Sequence, residues 1–425
     1  MEQKATCSNG MNIYYYKQPH THSICISLYI KAGKLYEKED SGITHFLEHL
    51  HFRKLGGRTQ KELYFQLESI GGYFGASTYK EFVMFYLTSS PRYFCDLAKI
   101  ASDLLGELEA DNKDVSAEKR LISSEIREDN QKNDIDYVSN KYIWANTNLQ
   151  NPVLGNISSI KALTLPMLRD EKANTFTKQN MFFYVTGNFE DTDISGLINE
   201  VERYDLNDRP DTSNNNIAEE PYGFKNRNAF VKMSQRKYFM HDVKISFDID
   251  FSSISRSDLI YLDSILSDGL CSLLRTEIIE KKGLIYSFSS TIEQYANIGV
   301  YYFKFEAHKS KLYDTVKSFI SVFNEAKKSI SEADMSATRV FKTDNQMELL
   351  DDPENLNWLL AYENHILNNK YSDLSELADS YRHIGKEQLV KAANEIFLPD
   401  NVLLMSIGNK KGLSENKLHQ ILLEL

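Results

Sequence analysis

The feature of this sequence that most constrains its fold is an approximate internal duplication. Residues 176–189 read FTKQNMFFYVTGNF, and residues 397–410 read FLPDNVLLMSIGNK. Phe, Asn and a Gly-Asn pair recur at the same spacing in both segments, with an offset of 397 − 176 = 221 residues. In each copy an apolar run follows the Asn, which is typical of a buried strand that ends in a turn. A repeat of this length predicts two domains with similar folds.

Weaker similarities follow in the same order along both halves. SICISLYI at 23–30 parallels DVKISFDI at 242–249, and EFVMFYL at 81–87 parallels GVYYFKF at 299–305. Strand-like runs alternate with longer helical segments in each half. We therefore predict an α+β fold of two homologous domains, each a mainly antiparallel sheet with helices packed on one face.

A break in composition predicts where the two domains meet. Residues 205–222, DLNDRPDTSNNNIAEEPY, are polar, contain Pro, Asn and Asp, and lack apolar periodicity. Such a segment is typical of a linker or a long surface loop. The prediction is a first, catalytic domain at 1–204, a linker at 205–222, and a second, non-catalytic domain at 223–425.

Composition argues against several classes of partner. The chain has 49 Lys and Arg against 60 Asp and Glu, so its net charge of −11 offers no basic excess for nucleic-acid phosphates. Neither a membrane span nor a signal-peptide core is visible, so we expect no membrane association. The 4 cysteines are scattered and include no CxxC pair. We therefore expect a cytoplasmic chain without a disulfide framework.

Residues 41–52, SGITHFLEHLHF, indicate a metal site. A helix through this segment places His45 and His49 one turn apart on one face, a spacing at which two imidazoles can bind one zinc ion. Glu48 is adjacent and can take a proton from a zinc-activated water. The order His-x-x-Glu-His is the inverzincin signature. The alternative is an ordinary helix with two surface histidines.

A zinc site of this type needs a third protein ligand and an open fourth position. The segment SAEKRLISSEIREDN at 116–130 predicts a helix on which Glu118 and Glu125 lie on one face, two turns apart. One carboxylate can bind the metal while the other hydrogen-bonds the metal ligands. The alternative is two solvated charges on an amphipathic helix.

These motifs resemble those of the pitrilysin family of zinc peptidases, in the short form similar to mitochondrial processing peptidase subunits. The separation from His49 to Glu125, 125 − 49 = 76 residues, fits the family pattern. The resemblance implies that His45, His49 and Glu125 bind Zn²⁺. It also implies that Glu48 is the general base and that Glu118 supports the site. The implied activity is that of a metalloendopeptidase without a covalent intermediate.

Residues 71–87, GGYFGASTYKEFVMFYL, predict a glycine turn followed by a strand. The resemblance implies that this strand lies at a sheet edge beside the zinc and that a peptide substrate adds to it. The residues expected to contact the substrate are Gly75, Ala76, Ser77 and Thr78. Asn is usual in the family where Gly75 stands, and Phe52 is the aromatic residue expected to wall the cleft. The alternative is an ordinary strand covered by a loop.

The second half contains no His-x-x-Glu-His, so only one copy of the duplication is catalytic. Complete members of the family carry an Arg and a Tyr seven residues apart in the later domain, where they meet the substrate. Tyr286 falls on the Tyr position, but Ile279 occupies the Arg position and Arg275 has the wrong spacing. Either a paralogous subunit supplies both groups in a heterodimer, or a homodimer works with Tyr286 alone. Tyr286 as a simple packing residue is a third interpretation.

The first hypothesis is a zinc endopeptidase that cleaves short or unfolded peptides inside a closed chamber, as the catalytic subunit of a heterodimer. A ribosomally made precursor peptide is the hypothesis for its substrate. The alternatives are a homodimeric general oligopeptidase and a non-catalytic subunit that serves in assembly or holds peptides. The intact zinc motif argues against the non-catalytic alternative.

Overall fold

The computed structural model describes residues 1–37, 41–129, 134–207 and 226–425. Most of the predicted linker, residues 208–222, lies outside these ranges. The strands are β1 Gln3–Thr6, β2 Asn12–Lys17, β3 Ile24–Ile30, β4 Lys54–Leu55, β5 Arg58–Thr59, β6 Tyr73–Thr78, β7 Val83–Ser89, β8 Met181–Gly187, β9 Phe230–Gln235, β10 Met240–Asp250, β11 Phe288–Tyr295, β12 Ile298–His308 and β13 Val402–Gly408.

Helices fill most of the remaining chain. The α-helices are α1 Ile43–His51, α2 Gln60–Ser69, α3 Phe94–Asp103, α4 Asn112–Glu128, α5 Ile135–Ile143, α6 Ile157–Ala162, α7 Leu165–Thr175, α8 Asp191–Val201, α9 Arg256–Ser267, α10 Leu312–Lys328, α11 Glu332–Glu348, α12 Pro353–Ala361, α13 Leu374–Arg382, α14 Lys386–Ile396 and α15 Glu415–Leu422. Within the described ranges, no helix combines the length and apolar character that crossing a membrane requires.

Each of the two units of the fold is built around one mainly antiparallel sheet, and the two sheets have corresponding strand orders. The first sheet has the order β1-β2-β8-β3-β7-β6, and the second has the order β9-β13-β10-β12-β11. Each contains one parallel pair, β2 with β8 and β9 with β13. Strands β8 and β13 begin at Met181 and Val402, again 402 − 181 = 221 residues apart. The predicted duplication and the α+β class are therefore confirmed.

The two compact units exchange segments between the halves of the sequence. The first unit consists of Met1–Gln131, Asn146–Asn215 and Gln346–Leu374. The second unit consists of Lys132–Ala145, Asn216–Asn345 and Ser375–Leu425. Helix α12 therefore belongs to the first unit and α5 to the second. The boundaries predicted at residues 204 and 223 do not include this exchange, because the polarity of a helix does not reveal which sheet it covers.

In the first unit, helices cover both faces of the sheet. The even-numbered residues of β3, from Ile24 to Ile30, lie in the hydrophobic core together with Phe46 of α1. The opposite face is covered by α12, whose buried Asn357 accepts a hydrogen bond from the Tyr29 hydroxyl at 3.0 Å. The same amide donates to the Tyr184 carbonyl oxygen of β8 at 2.9 Å. A polar anchor thus fixes the exchanged helix on the sheet.

In the second unit, α5 is held by charges. The Asp136 carboxylate accepts from Nζ of Lys244 at 2.8 Å and from Nζ of Lys304 at 2.7 Å. At the other end of the helix, Arg227 donates to the carbonyl oxygens of Tyr142 and Ile143 at 2.8 and 2.9 Å. These hydrogen bonds satisfy carbonyl groups that a helix leaves free at its C-terminus.

Candidate metal centre

Helix α1, which carries the predicted zinc motif, is fixed at its N-terminus by a buried carboxylate. Gly42 precedes the helix with φ of 67°, and a Cβ there would lie 2.6 Å from the Leu154 carbonyl oxygen. The Glu37 carboxylate accepts from the backbone N–H groups of Gly42 at 2.9 Å and Thr44 at 3.1 Å. It also accepts from Nζ of the buried Lys34 at 3.0 Å. An anion at this position satisfies the free N–H groups and the helix dipole together.

Three predicted ligands converge between α1 and α4. Nε2 of His45 lies 4.0 Å from Oε1 of Glu125, and Nε2 of His49 lies 3.8 Å from its Oε2. One ligand atom from each residue lies within 4.8 Å of the other two. Ligand atoms about 2.0–2.1 Å from a tetrahedral zinc would be about 3.4 Å apart. A small inward shift of the side chains would therefore suffice to hold the ion.

Glu118 fixes the orientation of one of these histidines. Its buried carboxylate accepts from Nδ1 of His49 at 2.9 Å and from Nε of Arg53. Burial alone would lower the pKa of His49, but the hydrogen bond and charge of Glu118 outweigh it and raise that pKa. Burial would raise the pKa of Glu118, but its bonds to His49 and Arg53 lower it. With the proton on Nδ1, the lone pair of Nε2 is free on the side that faces Glu125.

His45 is prepared as a neutral ligand by its surroundings. Burial, followed by the charge of His49, lowers the pKa of the His45 imidazole to about 3. The neutral imidazole is the form that binds a metal. Its buried Nδ1 has no hydrogen-bond partner within the described ranges. Two imidazoles and one carboxylate are a donor set that zinc accepts, so these residues fit the ion.

Glu48 lies on the same helix, between the two histidines, and points to the substrate strand predicted from the sequence. Thr78 Oγ1 of β6 donates a hydrogen bond to Oε2 of Glu48. Burial raises the pKa of Glu48, which suits a carboxylate that exchanges protons near neutral pH. The structure thus places Glu48 and Thr78 in direct contact.

Strand β6 is at the end of the first sheet and pairs with β7 on one side. Its side chains alternate, so Ala76 and Thr78 share the face that carries Glu48, while Gly75 and Ser77 share the other. A Cβ on Gly75 would lie 2.5 Å from Cζ of Tyr86, the residue opposite it on β7. The ring of Tyr86 therefore fills the space that the Asn usual in the family would need.

Phe52 ends α1 and packs against aromatic residues of the neighbouring strands. Its ring centroid lies 4.5 Å from that of Phe74 and 6.4 Å from that of Phe85. It is partly buried against the hydrophobic core of the first unit. The contribution of Phe52 to a substrate cleft stays a prediction.

Tyr286 belongs to the second unit, and 94% of its surface is exposed. Arg275 forms an ion pair with Glu280 at 3.3 Å, and Ile279 follows on the same helical turn, Arg275–Lys281. A role for Tyr286 at the site stays a prediction.

Arg53 was missed by sequence reasoning. It lies two residues beyond the end of α1, just before β4, so helical spacing gave no signal for its contact with Glu118. Glu37 caps α1 from outside the helix, and nothing in its local sequence reveals that contact.

Comparisons with known proteins agree on one family. Residues 12–157 match the profile described as Insulinase (Peptidase family M16), and residues 162–339 match the one described as Peptidase M16 inactive domain. The chain belongs to the M16, or pitrilysin, peptidase family. The resemblance inferred from the zinc motif is thereby confirmed.

The relatives of this M16 chain include proteins named as zinc proteases. One from Rickettsia felis is 25% identical over 401 residues, covering 92% of this chain and 93% of the relative. YmxG of Bacillus subtilis is 22% identical, and the match covers 95% of this chain and 98% of that protein. The mitochondrial-processing peptidase subunit beta of Saccharomyces cerevisiae is 29% identical over 166 residues, 38% of this chain and 36% of that protein.

Solved structures share the fold. A protease from Helicobacter pylori has a TM-score of 0.84 at 18% identity, covering 96% of this chain and 99% of that one. An M16 inactive-domain protein from Pseudomonas fluorescens has a TM-score of 0.82 at 18% identity, and the match covers 96% of this chain and 98% of that one. At these identities the likeness establishes the fold alone, and the family and the relatives' names support a peptidase.

Proposed function

We propose that this chain is a zinc-dependent endopeptidase that cleaves short or unfolded peptides. The observation that carries the proposal is the convergence of one ligand atom each from His45, His49 and Glu125 within 4.8 Å. Glu48 is the residue just before the second of these ligands, and Thr78 of the edge strand bonds to it. A metal site, a base and an open strand edge in one place are what peptide hydrolysis needs.

Each residue has a distinct task in the proposed reaction. His45, His49 and Glu125 would hold Zn²⁺, which acts when bound as a Lewis acid at the scissile carbonyl group. Glu48 removes a proton from the attacking water and delivers it to the leaving amine. Glu118 holds the His49 ring in one tautomer. Thr78 holds the carboxylate of Glu48 through its hydroxyl group.

The substrate would bind by strand addition. Gly75, Ala76, Ser77 and Thr78 lie on an edge strand whose outer backbone groups can pair with an extended peptide. A folded protein rarely offers an unpaired extended segment, so the proposal favours short or unfolded chains. Main-chain pairing makes few demands on sequence, and selectivity has to come from pockets for side chains.

We further propose a heterodimer in which a paralogous subunit closes a chamber and supplies the missing Arg and Tyr. Ile279 cannot donate a hydrogen bond, and Arg275 is engaged with Glu280. The relative from Saccharomyces cerevisiae is named as a subunit. A cytoplasmic location is part of the proposal, since all four cysteines, Cys7, Cys25, Cys95 and Cys271, are free. A ribosomally made precursor peptide is the proposed substrate.

The experiment for the activity compares wild-type chain and Glu48→Gln with quenched fluorogenic peptides. Both proteins are loaded with one equivalent of zinc and assayed alone and with a paralogous subunit from the same source. We expect cleavage by the wild type, loss of cleavage on zinc removal, and at least a 100-fold lower kcat for Glu48→Gln. Absence of both zinc binding and cleavage, even with the subunit present, would favour the non-catalytic alternative.

The experiment for the assembly uses Tyr286→Phe, with Tyr238→Phe as the control. Both tyrosines are exposed, at 94% and 70%, so neither change should disturb folding. If a partner supplies the Tyr, both variants should cleave peptides as the wild type does. A homodimer that relies on Tyr286 should instead lose about 10²–10³-fold in kcat, and only with Tyr286→Phe. Robust cleavage of many unrelated peptides by the isolated chain would argue against precursor processing.

A further inference from the structure

A cavity of about 450 Å³ lies in the first unit, between the end of α3, helix α7 and the segment that follows α8. Its volume is within the range of about 300–1,000 Å³ that is usual for sites of small molecules. Apart from one lysine, the buried residues that line it are apolar and only 6–9% exposed, namely Leu105, Leu108, Phe176 and Leu206. No proposed metal ligand, and no residue of β6, is part of the lining. The cavity is therefore distinct from the candidate metal centre.

Lys172 of α7 is the buried charged residue of this lining, and it is 5% exposed. Within the described ranges its ammonium group forms neither a hydrogen bond nor an ion pair. Its Nζ lies 4.9 Å from the ring centroid of Phe176. Burial lowers the pKa of Lys172 to about 7, although the charges of Glu109 and Glu107 act in the opposite direction. A buried amine without an acceptor is rare in a folded protein, and an anionic group of a ligand would supply one.

The exposed part of the lining carries the opposite charge. Three of its residues are exposed carboxylates, Glu107, Asp170 and Asp205. Arg169 is the one exposed cation among the described residues that line the cavity. A ligand with only a negative charge would be repelled at this rim. A ligand with a carboxylate at one end and an ammonium group at the other would be attracted both by Lys172 and by the rim.

We propose that this cavity binds an α-amino acid, or a short peptide, whose carboxy-terminal residue is apolar. Lys172 pairs with the carboxylate of the ligand, and the leucine and phenylalanine side chains of the lining contact its apolar side chain. The carboxylates of the rim attract its ammonium group. A carboxylate beside Lys172 restores the charged form of the amine, because an opposite charge nearby favours that form. The inference goes beyond the proposed function and does not depend on it, since the cavity contains no residue of the metal centre.

The test measures binding by isothermal titration calorimetry to the whole chain, loaded with one equivalent of zinc and carrying Glu48→Gln to prevent cleavage of a peptide probe. Leucine represents the free amino acid, and alanyl-leucine represents the short peptide. Leucinamide lacks the carboxylate, and N-acetylleucine lacks the ammonium group, so the two analogues test the two ends of the ligand separately.

Three substitutions are combined with this protein. Lys172→Met removes the charge but keeps a long apolar side chain that suits a buried position. Ala173→Leu keeps the lysine and fills part of the cavity, and leucine is compatible with a helix. Lys99→Met removes an exposed lysine of α3 that is not part of the lining, so it is the control. Binding at the metal centre is recognised because it would be unaffected by Lys172→Met.

We expect leucine or alanyl-leucine to bind at least tenfold more tightly than leucinamide, because a charge-assisted hydrogen bond is lost with the carboxylate. The tighter of the two probes identifies the ligand as an amino acid or a short peptide. N-acetylleucine should bind at least threefold more weakly than leucine. Lys172→Met should remove the preference for the carboxylate, Ala173→Leu should weaken binding at least tenfold, and Lys99→Met should change neither.

Four results would overturn the inference. The first is that neither leucine nor alanyl-leucine binds, and the second is that leucine and leucinamide bind equally. The third is that N-acetylleucine binds as tightly as leucine. The fourth is that the preference for the carboxylate survives Lys172→Met or, if that variant does not fold, that binding is unaffected by Ala173→Leu. None of these results bears on peptide cleavage, so the proposed function is tested separately.

Discussion

Replacement of Glu118 tests whether the site depends on the orientation of its histidines. Glu118→Gln keeps the shape of a side chain that is 3% exposed but removes the charge that faces His49 and Arg53. A carboxamide has one acceptor oxygen where the carboxylate has two, so it would turn its NH₂ group towards either His49 or Arg53. The His49 ring then loses the hydrogen bond that fixes its tautomer and orientation.

The expected loss is in metal affinity. Replacement of groups that hydrogen-bond a metal ligand typically weakens metal binding about 10–100-fold, which corresponds to about 1.4–2.7 kcal/mol. Zinc affinity is measured by competition with a chromophoric chelator at a fixed pH. Glu128→Gln, an exposed carboxylate near the end of the same helix, is the control and should bind zinc as the wild type does.

Unchanged zinc affinity in Glu118→Gln would show that the metal site does not depend on the hydrogen bond from His49 to Glu118. Glu118 would then be a structural residue that holds α1 and α4 together through Arg53. A thermal unfolding experiment on the zinc-free proteins measures that contribution separately. If Glu118→Gln lowers the stability of the zinc-free and the zinc-loaded protein equally, the substitution has not weakened zinc binding, and the role of Glu118 in orienting His49 would be contradicted again.

Three further changes have definite expected outcomes. Thr78→Val should lower kcat about tenfold with little change in KM, and Thr78→Ser should restore it, because the hydroxyl group holds Glu48. Loss of the serine rescue would contradict this role. Glu37→Ala should reduce the free energy of unfolding by about 2–3 kcal/mol through two lost backbone hydrogen bonds at α1, whereas the exposed Glu68→Ala should change it by less than about 0.5 kcal/mol. Burial lowers the pKa of Lys172 to about 7, so the folded state binds fewer protons than the unfolded state above that pH. The buried amine of Lys172 therefore lowers the free energy of unfolding most below pH 7, and this effect shrinks as the pH rises towards 10.5. The gain in the free energy of unfolding on Lys172→Met should accordingly fall by about 2 kcal/mol between pH 7 and pH 9. A pH-independent gain in denaturant titrations would contradict that expectation.

The zinc motif was readable from the sequence because helix geometry fixes the spacing of its residues. A helix of 3.6 residues per turn places His45 and His49 on one face whatever the rest of the chain does. The same argument places Glu118 and Glu125 on one face of α4. The likeness of the two sheets was readable for another reason, since the 221-residue repeat predicted two domains with similar folds.

Contacts between distant segments were not readable. The hydrogen bond from Thr78 to Glu48 and the cap that Glu37 forms on α1 join separate elements, and no local pattern encodes them. The exchange of α5 and α12 has the same origin, because an amphipathic helix shows that it covers a sheet but not which one.

Zinc binding by His45, His49 and Glu125 can be tested directly from the coordination of the metal. X-ray absorption at the zinc edge, measured on chain loaded with one equivalent of the metal, reports the ligands and their distances. We expect about four nitrogen and oxygen ligands near 2.0–2.1 Å, with the outer scattering of two imidazoles and no sulfur. Glu125→Gln should change the spectrum, and His45→Ala should remove one imidazole. Sulfur ligation, or a spectrum that both substitutions leave unaltered, would contradict zinc binding by these residues.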